Sequence, residues 1–157
     1  MRAAVLTVSD GVAAGQREDR SGAVLRERLE QAGFELATAA VVPDERPAII
    51  DALRAMAAAA DLVLTTGGTG FAPRDVTPEA TLEVVERRTP GLDETMRAVS
   101  VAVSAHGMLS RQVSGIAGRT LIVNMPGSPK ACAECFDAVA PALAHGLRLL
   151  LEEPTEH

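Results

Sequence analysis

Short, almost continuously apolar runs alternate along the chain with longer stretches whose apolar side chains recur every three or four positions. Ala3 to Val8, Leu36 to Val42, Asp61 to Thr66 and Thr120 to Met125 are too short for amphipathic helices and predict strands, the first of them buried. Ser21 to Gly33 carries Leu25, Leu29 and Ala32 on one helical face, and Gly33 sits where a helix needs a left-handed residue beyond its end. Pro47 fits the first turn of a helix whose apolar side is Ile49, Ile50, Leu53 and Ala57. Thr77-Pro78 and Ser128-Pro129 each pair a capping hydroxyl with proline at the first helical position. They open helices to about Arg88 and towards Val139. Two more helices are predicted, over Leu92 to about Ala105 and from Pro141 to Leu151. Leu109 to Ile116 is ambiguous in its period and is assigned to an edge strand.

Strands alternating with helices imply parallel pairing and right-handed crossovers. Nearly continuous apolar strands imply a sheet covered on both faces. The expected fold is therefore α/β: a three-layer, doubly wound, mostly parallel sheet with helices on both faces. At 157 residues a single domain over 1–157 is expected. Ligands of such folds bind beyond the carboxyl ends of the strands, so the loops that follow strands are where chemistry is sought.

Composition removes some partners. Basic residues number 15 and acidic residues 21, a net charge of −6, which opposes broad nucleic-acid or anionic membrane surfaces as partners. Aromatics are 2% with no Trp or Tyr, so stacking platforms for single strands are missing. No apolar stretch reaches membrane-spanning length, and the first apolar run stops at Asp10. A cytoplasmic protein with reduced thiols is expected. Cys132 and Cys135, three apart on a predicted helix, read as core rather than as a redox pair. His106 and His145 have no partner at metal-ligand spacing. Phe71 packs on the glycine loop or on a ligand ring, with nothing in the sequence to choose between them.

Five loops can carry chemistry. Thr65-Thr66-Gly67-Gly68-Thr69-Gly70 follows the third strand and can form an anion nest with flanking hydroxyls. It lacks the spacing of a Walker A loop or a dinucleotide fingerprint, and a plain tight turn explains its glycines equally well. Asp75, in Pro73-Arg74-Asp75-Val76-Thr77-Pro78, either complements a helix dipole or holds Mg²⁺ beside that loop. Asp44, in Val42-Pro43-Asp44-Glu45, either caps the next helix or shares the same cation. Pro126-Gly127-Ser128-Pro129-Lys130 presents a helix N-terminus, a hydroxyl and the only lysine of the chain; the competing reading is a solvated first-turn lysine. Ser9-Asp10-Gly11 begins a long polar connection that continues through Asp19-Arg20-Ser21-Gly22, either a binding loop or a surface loop.

Read jointly, T-T-G-G-T-G, P-R-D-V-T-P-E-A-T, P-G-L-D-E-T-M-R, L-S-R-Q-V-S-G-I and N-M-P-G-S-P-K resemble the molybdopterin adenylyltransferase family of MogA/MoaB type, with V-S-D-G and V-P-D-E where that family has them. The resemblance runs from Ala3 to about Leu150. It implies a molybdopterin-binding α/β fold, a homotrimer, and Mg²⁺-dependent transfer of AMP from ATP to the terminal phosphate of molybdopterin with release of pyrophosphate. It implies Asp44 and Asp75 as the two essential aspartates, acting through Mg²⁺. The implied substrate-binding residues are Ser9, Asp10, Thr66, Gly67, Gly68, Thr69, Gly70, Ser110, Arg111, Pro126, Gly127, Ser128 and Lys130. The adenylylated product precedes molybdate insertion, so a downstream molybdate-insertion protein is an implied partner. The alternative is a carrier of the same fold that binds molybdopterin without transferring AMP. The chain lacks the extended C-terminal insertion of the longest relatives, and Phe71 is bulkier than the residue expected after the glycine loop.

Overall fold

Strand β1 (Arg2–Val8) is buried from Ala3 onward and lies inside the sheet, as its unbroken apolar run requires. The computed structural model describes residues 1–154. With β2 (Glu35–Val42), β3 (Leu62–Thr66), β4 (Arg87–Arg88), β5 (Ser114–Ala117) and β6 (Thr120–Met125), it forms a six-stranded sheet of order β2-β1-β3-β6-β5-β4. The pairs β1–β2, β1–β3 and β3–β6 are parallel; β5–β6 and β4–β5 are antiparallel.

Alternate strand residues face two helical layers. Ala3, Val5, Leu62, Leu64, Val123 and Met125 pack against α2 (Arg20–Gln31), α5 (Pro90–Val103) and α6 (Pro129–Leu150). Ala4, Leu6, Val63 and Ile122 pack against α3 (Arg46–Ala57) and α4 (Thr77–Val84). This is the expected three-layer α/β fold. Gly33 has φ +83, the left-handed residue its position called for.

Several expectations need correction. Thr77 does not cap a helix: it is the first residue of α4, Val76 holds the cap position, and the Thr77 hydroxyl donates instead to the Gly67 carbonyl at 2.9 Å. Pro141 does not begin a helix: α6 runs unbroken for 22 residues through it, because Val139, Leu143 and Leu147 continue the buried stripe of Cys132, Cys135 and Phe136. Core packing there outweighs the backbone bond that proline cannot donate. Helix α4 stops at Val84, not Arg88; Val85 turns extended (ψ 142) and Arg87–Arg88 becomes the edge strand. Arg88 is anchored there: it donates to the Ser114 carbonyl at 3.1 Å and to buried Asp93 at 2.9 Å. The ambiguous 109–116 segment is a 3₁₀ turn (Ala105–Leu109) followed by β5, one position in from the edge. The long first connection also holds a helical turn, α1 (Asp10–Ala13), capped by Ser9.

Candidate active site

The loops after β1, β2, β3 and β6 meet at one end of the sheet. Gly67 (φ +95) and Gly68 (φ +64) take left-handed backbone that disfavours any side chain. A Cβ on Gly67 would lie 2.2 Å from the Val8 carbonyl oxygen; one on Gly68 would lie 2.4 Å from Thr77 Oγ1 and 3.2 Å from Asp44 Oδ1. Thr77 opens α4 and clamps the loop, its hydroxyl donating to the Gly67 carbonyl (2.9 Å) and its N–H to the Gly68 carbonyl (3.1 Å). Thr66 is fully buried, and its hydroxyl donates to the Pro126 carbonyl at 2.7 Å. It therefore ties the β3 loop to the β6 loop.

Three carboxylates converge beside these glycines. Asp10 and Asp44 exchange bonds: Asp10 N–H donates to Asp44 Oδ2 (2.8 Å) and Asp44 N–H to Asp10 Oδ1 (3.0 Å). Arg74 grips Asp10 with two nitrogens at 2.6 and 2.9 Å, which holds the Asp10 carboxyl below its ordinary range. The Asp44 carboxyl is pushed upward, first by burial and then by the negative charges of Asp10 and Asp75, against the pull of the Asp10 N–H. Asp75 Oδ2 accepts the Ala72 N–H at 3.0 Å and sits 2.9 Å from where a Cβ on Gly70 would be. Among the described residues no cation hydrogen-bonds to the carboxylate of Asp44 or Asp75; the charge of Arg74, whose bonds go to Asp10, reaches Asp44 only from a distance.

Two cavities open on either side of this loop. The first, about 660 Å³, is lined by Ser9, Asp44, Thr66, Gly67 and the polar connection around Asp19. The second, about 490 Å³, is lined by Thr69, Gly70, Ser110, Pro126, Ser128 and Lys130. Gly68, Asp75 and Gly127 line both and form the partition. Ser128 caps α6 by accepting the Ala131 N–H at 3.2 Å, so that helix N-terminus opens into the second cavity. Lys130 is 78% exposed and only loosely near Glu134 (3.8 Å).

Two of the sequence candidates stand behind the cavity walls. The Asp10 carboxylate is committed to Arg74 and Asp44. The Arg111 guanidinium donates to the Gly70 carbonyl (2.7 Å), the Asp75 carbonyl (2.5 Å) and Glu79, while its backbone N–H donates to the Thr69 carbonyl (2.8 Å). It is a clamp on the glycine loop and on the residue that carries the partition carboxylate. Phe71 is 68% exposed and lines neither cavity.

Arg74 and Asp19 are structural contributors that sequence reasoning left unassigned. Asp19 caps α2 through the Gly22 N–H (2.9 Å) and accepts the Thr7 hydroxyl at 3.0 Å. The D-x-x-G spacing was a usable signal for that cap, since a Cβ on Gly22 would lie 2.2 Å from Asp19 Oδ2. Arg74 had no comparable signal, because its partner lies 64 positions away.

A mostly parallel sheet with a two-chambered crevice at its strand ends defines an α/β ligand-binding enzyme domain. The chain belongs to the molybdopterin-binding domain family: the family model described as "Probable molybdopterin binding domain" matches residues 4–145. It is 42% identical over 154 residues to the molybdopterin adenylyltransferase of Helicobacter pylori strain J99, covering 94% of this chain and 86% of that protein. It is 42% identical over 149 residues to the Drosophila melanogaster molybdenum cofactor synthesis protein cinnamon, where it spans about a quarter (25%) of that longer protein. The crystal structure of the molybdopterin biosynthesis enzyme MoaB from Thermus thermophilus superposes with a TM-score of 0.92 at 48% identity, covering 99% of each chain.

Proposed function

We propose that this chain is a molybdopterin adenylyltransferase of molybdenum cofactor biosynthesis. It transfers AMP from ATP to the terminal phosphate of molybdopterin. The observation that carries this reading is the shared partition: two separate cavities meet at Gly68, Asp75 and Gly127. A carrier of molybdopterin alone would have no use for the cavity beside Asp44. ATP fits the Asp44 side, and the molybdopterin phosphate fits the α6 N-terminus with Ser128 and Lys130.

The reaction brings two phosphates together, so charge repulsion and misalignment are the obstacles. A terminal phosphate oxygen of molybdopterin attacks the α-phosphorus of ATP. The bond from that phosphorus to the bridging oxygen breaks, and its electron pair leaves on pyrophosphate. The attacking oxygen is already anionic near pH 7, so no strong general base is required. The backbone N–H groups around Gly68 and Gly127 orient the phosphates, and the Arg111 clamp fixes where they point. The Asp44 and Asp75 carboxylates suit Mg²⁺, which takes one or two carboxylates and completes its shell with phosphate oxygens and water. Their mutual repulsion, with no hydrogen-bonded cation beside them, fits such a site. Among the described residues no cluster of three or more His, Cys, Asp or Glu could hold a metal, so phosphate oxygens would have to complete the shell. When bound, Mg²⁺ would neutralise charge on the transferring phosphates.

The same reading carries the cytoplasmic homotrimer and the downstream molybdate-insertion partner that the family resemblance implies. Exposed Val103, Met108 and Leu109 beside the second cavity are apolar surface suited to a subunit contact. Purified protein with molybdopterin, ATP and Mg²⁺ should yield adenylylated molybdopterin and one pyrophosphate per turnover, dependent on Mg²⁺. Molybdopterin binding without pyrophosphate release would establish the carrier instead.

A further inference from the structure

The cavity beside Asp44 presents Asp44, Asp75, Asp19 and Glu18 to a ligand that would bring several negative charges of its own. Cations around it are already committed. Arg20 pairs with Glu18 at 3.4 Å, Arg26 with Asp19 at 3.3 Å and Arg74 with Asp10 at 2.6 Å. Arg17 lines the cavity, and among the described residues its guanidinium has no ion pair and no hydrogen bond. Its position is built rather than incidental. The backbone N–H groups of Gln16 and Arg17 both donate to the Gly11 carbonyl, at 2.8 and 3.1 Å, closing the connection back on α1. A Cβ on Gly11 would lie 2.6 Å from Arg17 Nε and 3.0 Å from Nη2, with no other residue among its nearest neighbours. The missing side chain at Gly11 is thus the space the guanidinium fills.

We propose that Arg17 binds the β- and γ-phosphates of ATP and receives the departing pyrophosphate. This rests on the adenylyl-transfer reading. Transfer at the partition fixes the α-phosphorus near Gly68 and Asp75, so the rest of the nucleotide extends along this cavity. Its polyphosphate end runs to Arg17, among the described residues the lining cation with no partner, where a planar guanidinium can take two phosphate oxygens. The electron pair of the broken phosphorus–oxygen bond then resides on a pyrophosphate held by Arg17.

The test compares wild type with Arg17→Ala, Arg17→Lys and Gly11→Ala, using inorganic pyrophosphate and AMP as separate competitors. Arg17→Ala is expected to weaken pyrophosphate binding and raise KM for ATP by about tenfold, the scale of one charge-assisted contact, with AMP binding changed less than about twofold. Arg17→Lys recovers part of the loss. Gly11→Ala, which displaces only the flexible guanidinium, reproduces a smaller loss in the same direction. Unchanged pyrophosphate binding in Arg17→Ala, with AMP transfer intact, overturns the assignment and leaves the adenylyltransferase reading standing. Equal loss of AMP and pyrophosphate also overturns it, since the effect would not be confined to the outer phosphates. Arg17-dependent pyrophosphate binding in a wild type that transfers no AMP keeps the polyphosphate subsite and removes the transfer reading.

Discussion

The cavity beside Asp44 is walled by ends of parallel strands, and hydrogen bonds in and behind its walls tie those ends together: Thr7 to Asp19, the Asp10 N–H to Asp44, Thr66 to the Pro126 carbonyl. The cavity beside Lys130 is walled instead by α5, the 3₁₀ turn and the start of α6, where Val103 and Leu109 remain 55% and 44% exposed. The first holds charge in a fixed geometry. The second offers an adaptable, partly apolar wall that an aromatic ring system can fill. On the proposed reading, building the two on different kinds of structure would separate handling of the polyphosphate from recognition of the pterin. The partition of Gly68, Asp75 and Gly127 is the one place where a change should be felt on both sides.

The largest effect is expected at the partition carboxylate. Asp75→Asn should lower AMP transfer by about 10²–10³-fold, the range for removing one preorganised electrostatic group, while calorimetry finds molybdopterin affinity within about threefold. A matched loss of rate and affinity would make Asp75 a structural residue of the second cavity. The same variant tests the charge coupling. Asp75 helps to hold the Asp44 carboxyl above its ordinary range, so removing that negative charge should move the Asp44 titration to lower pH. Carboxyl-carbon NMR would follow it, and an unmoved Asp44 would mean that the two groups do not face each other.

Next in size is a contrast between two glycines of the meeting loops. Gly67→Ala adds a methyl 2.2 Å from the Val8 carbonyl oxygen at φ +95, so the backbone must shift. A loss of about 1–3 kcal/mol is expected, read as a clear fall in Tm. At Gly127 the nearest atom to an added Cβ is 3.6 Å away, an ordinary contact. Gly127→Ala should therefore keep its Tm and change only activity. Equal stability of the two variants would contradict the close approach of the β1 and β3 loops.

Arg111→Lys keeps the charge but loses the fork that spans Gly70, Asp75 and Glu79. A fall in kcat of about tenfold is expected, with KM for both substrates nearly constant, because the clamp bonds to the Asp75 carbonyl and lines neither cavity. A raised KM for molybdopterin alone would return Arg111 to the substrate-binding role first read from its motif.

How far these features could be read in advance depends on the range of the interaction behind each. Buried strands β1, β3 and β6 were legible because being covered on both faces forces continuous apolar runs. The left-handed Gly33 and the Ser128-Pro129 cap were legible because they are settled within a few residues. The end of α4 was not: E-V-V-E-R-R continues an acceptable helical pattern, and only pairing with β5 draws Arg87 and Arg88 into a strand. Pro141 was misread because a local rule met a packing stripe longer than the window used to apply it. In the crevice, the glycine loop and the aspartates were noticed from their positions after strands. The clamping by Arg111 and Arg74 depends on partners as far as 41 and 64 positions away, and no periodicity records that.

The smallest effect on catalysis is expected beneath the partition. Cys132 is fully buried, with its thiol donating to the Pro126 carbonyl at 2.9 Å, the same oxygen that accepts the Thr66 hydroxyl. Burial pushes its pKa up to about 12, only partly offset by Thr66. The folded state therefore favours the neutral thiol, whereas an unfolded cysteine ionises near about 8.5. The stability this contributes is fully present below about 8.5 and is lost as pH rises towards about 12. Cys132→Ala should flatten the fall in Tm over that alkaline window and leave it unchanged near pH 7 apart from a constant offset. Because Thr66 still satisfies the Pro126 carbonyl, AMP transfer should fall less than in Arg111→Lys. Native protein at pH 8 should also resist alkylation at this position. Rapid labelling there would mean that α6 opens beneath the partition, and the fixed character assigned to the Asp44 side would then be wrong.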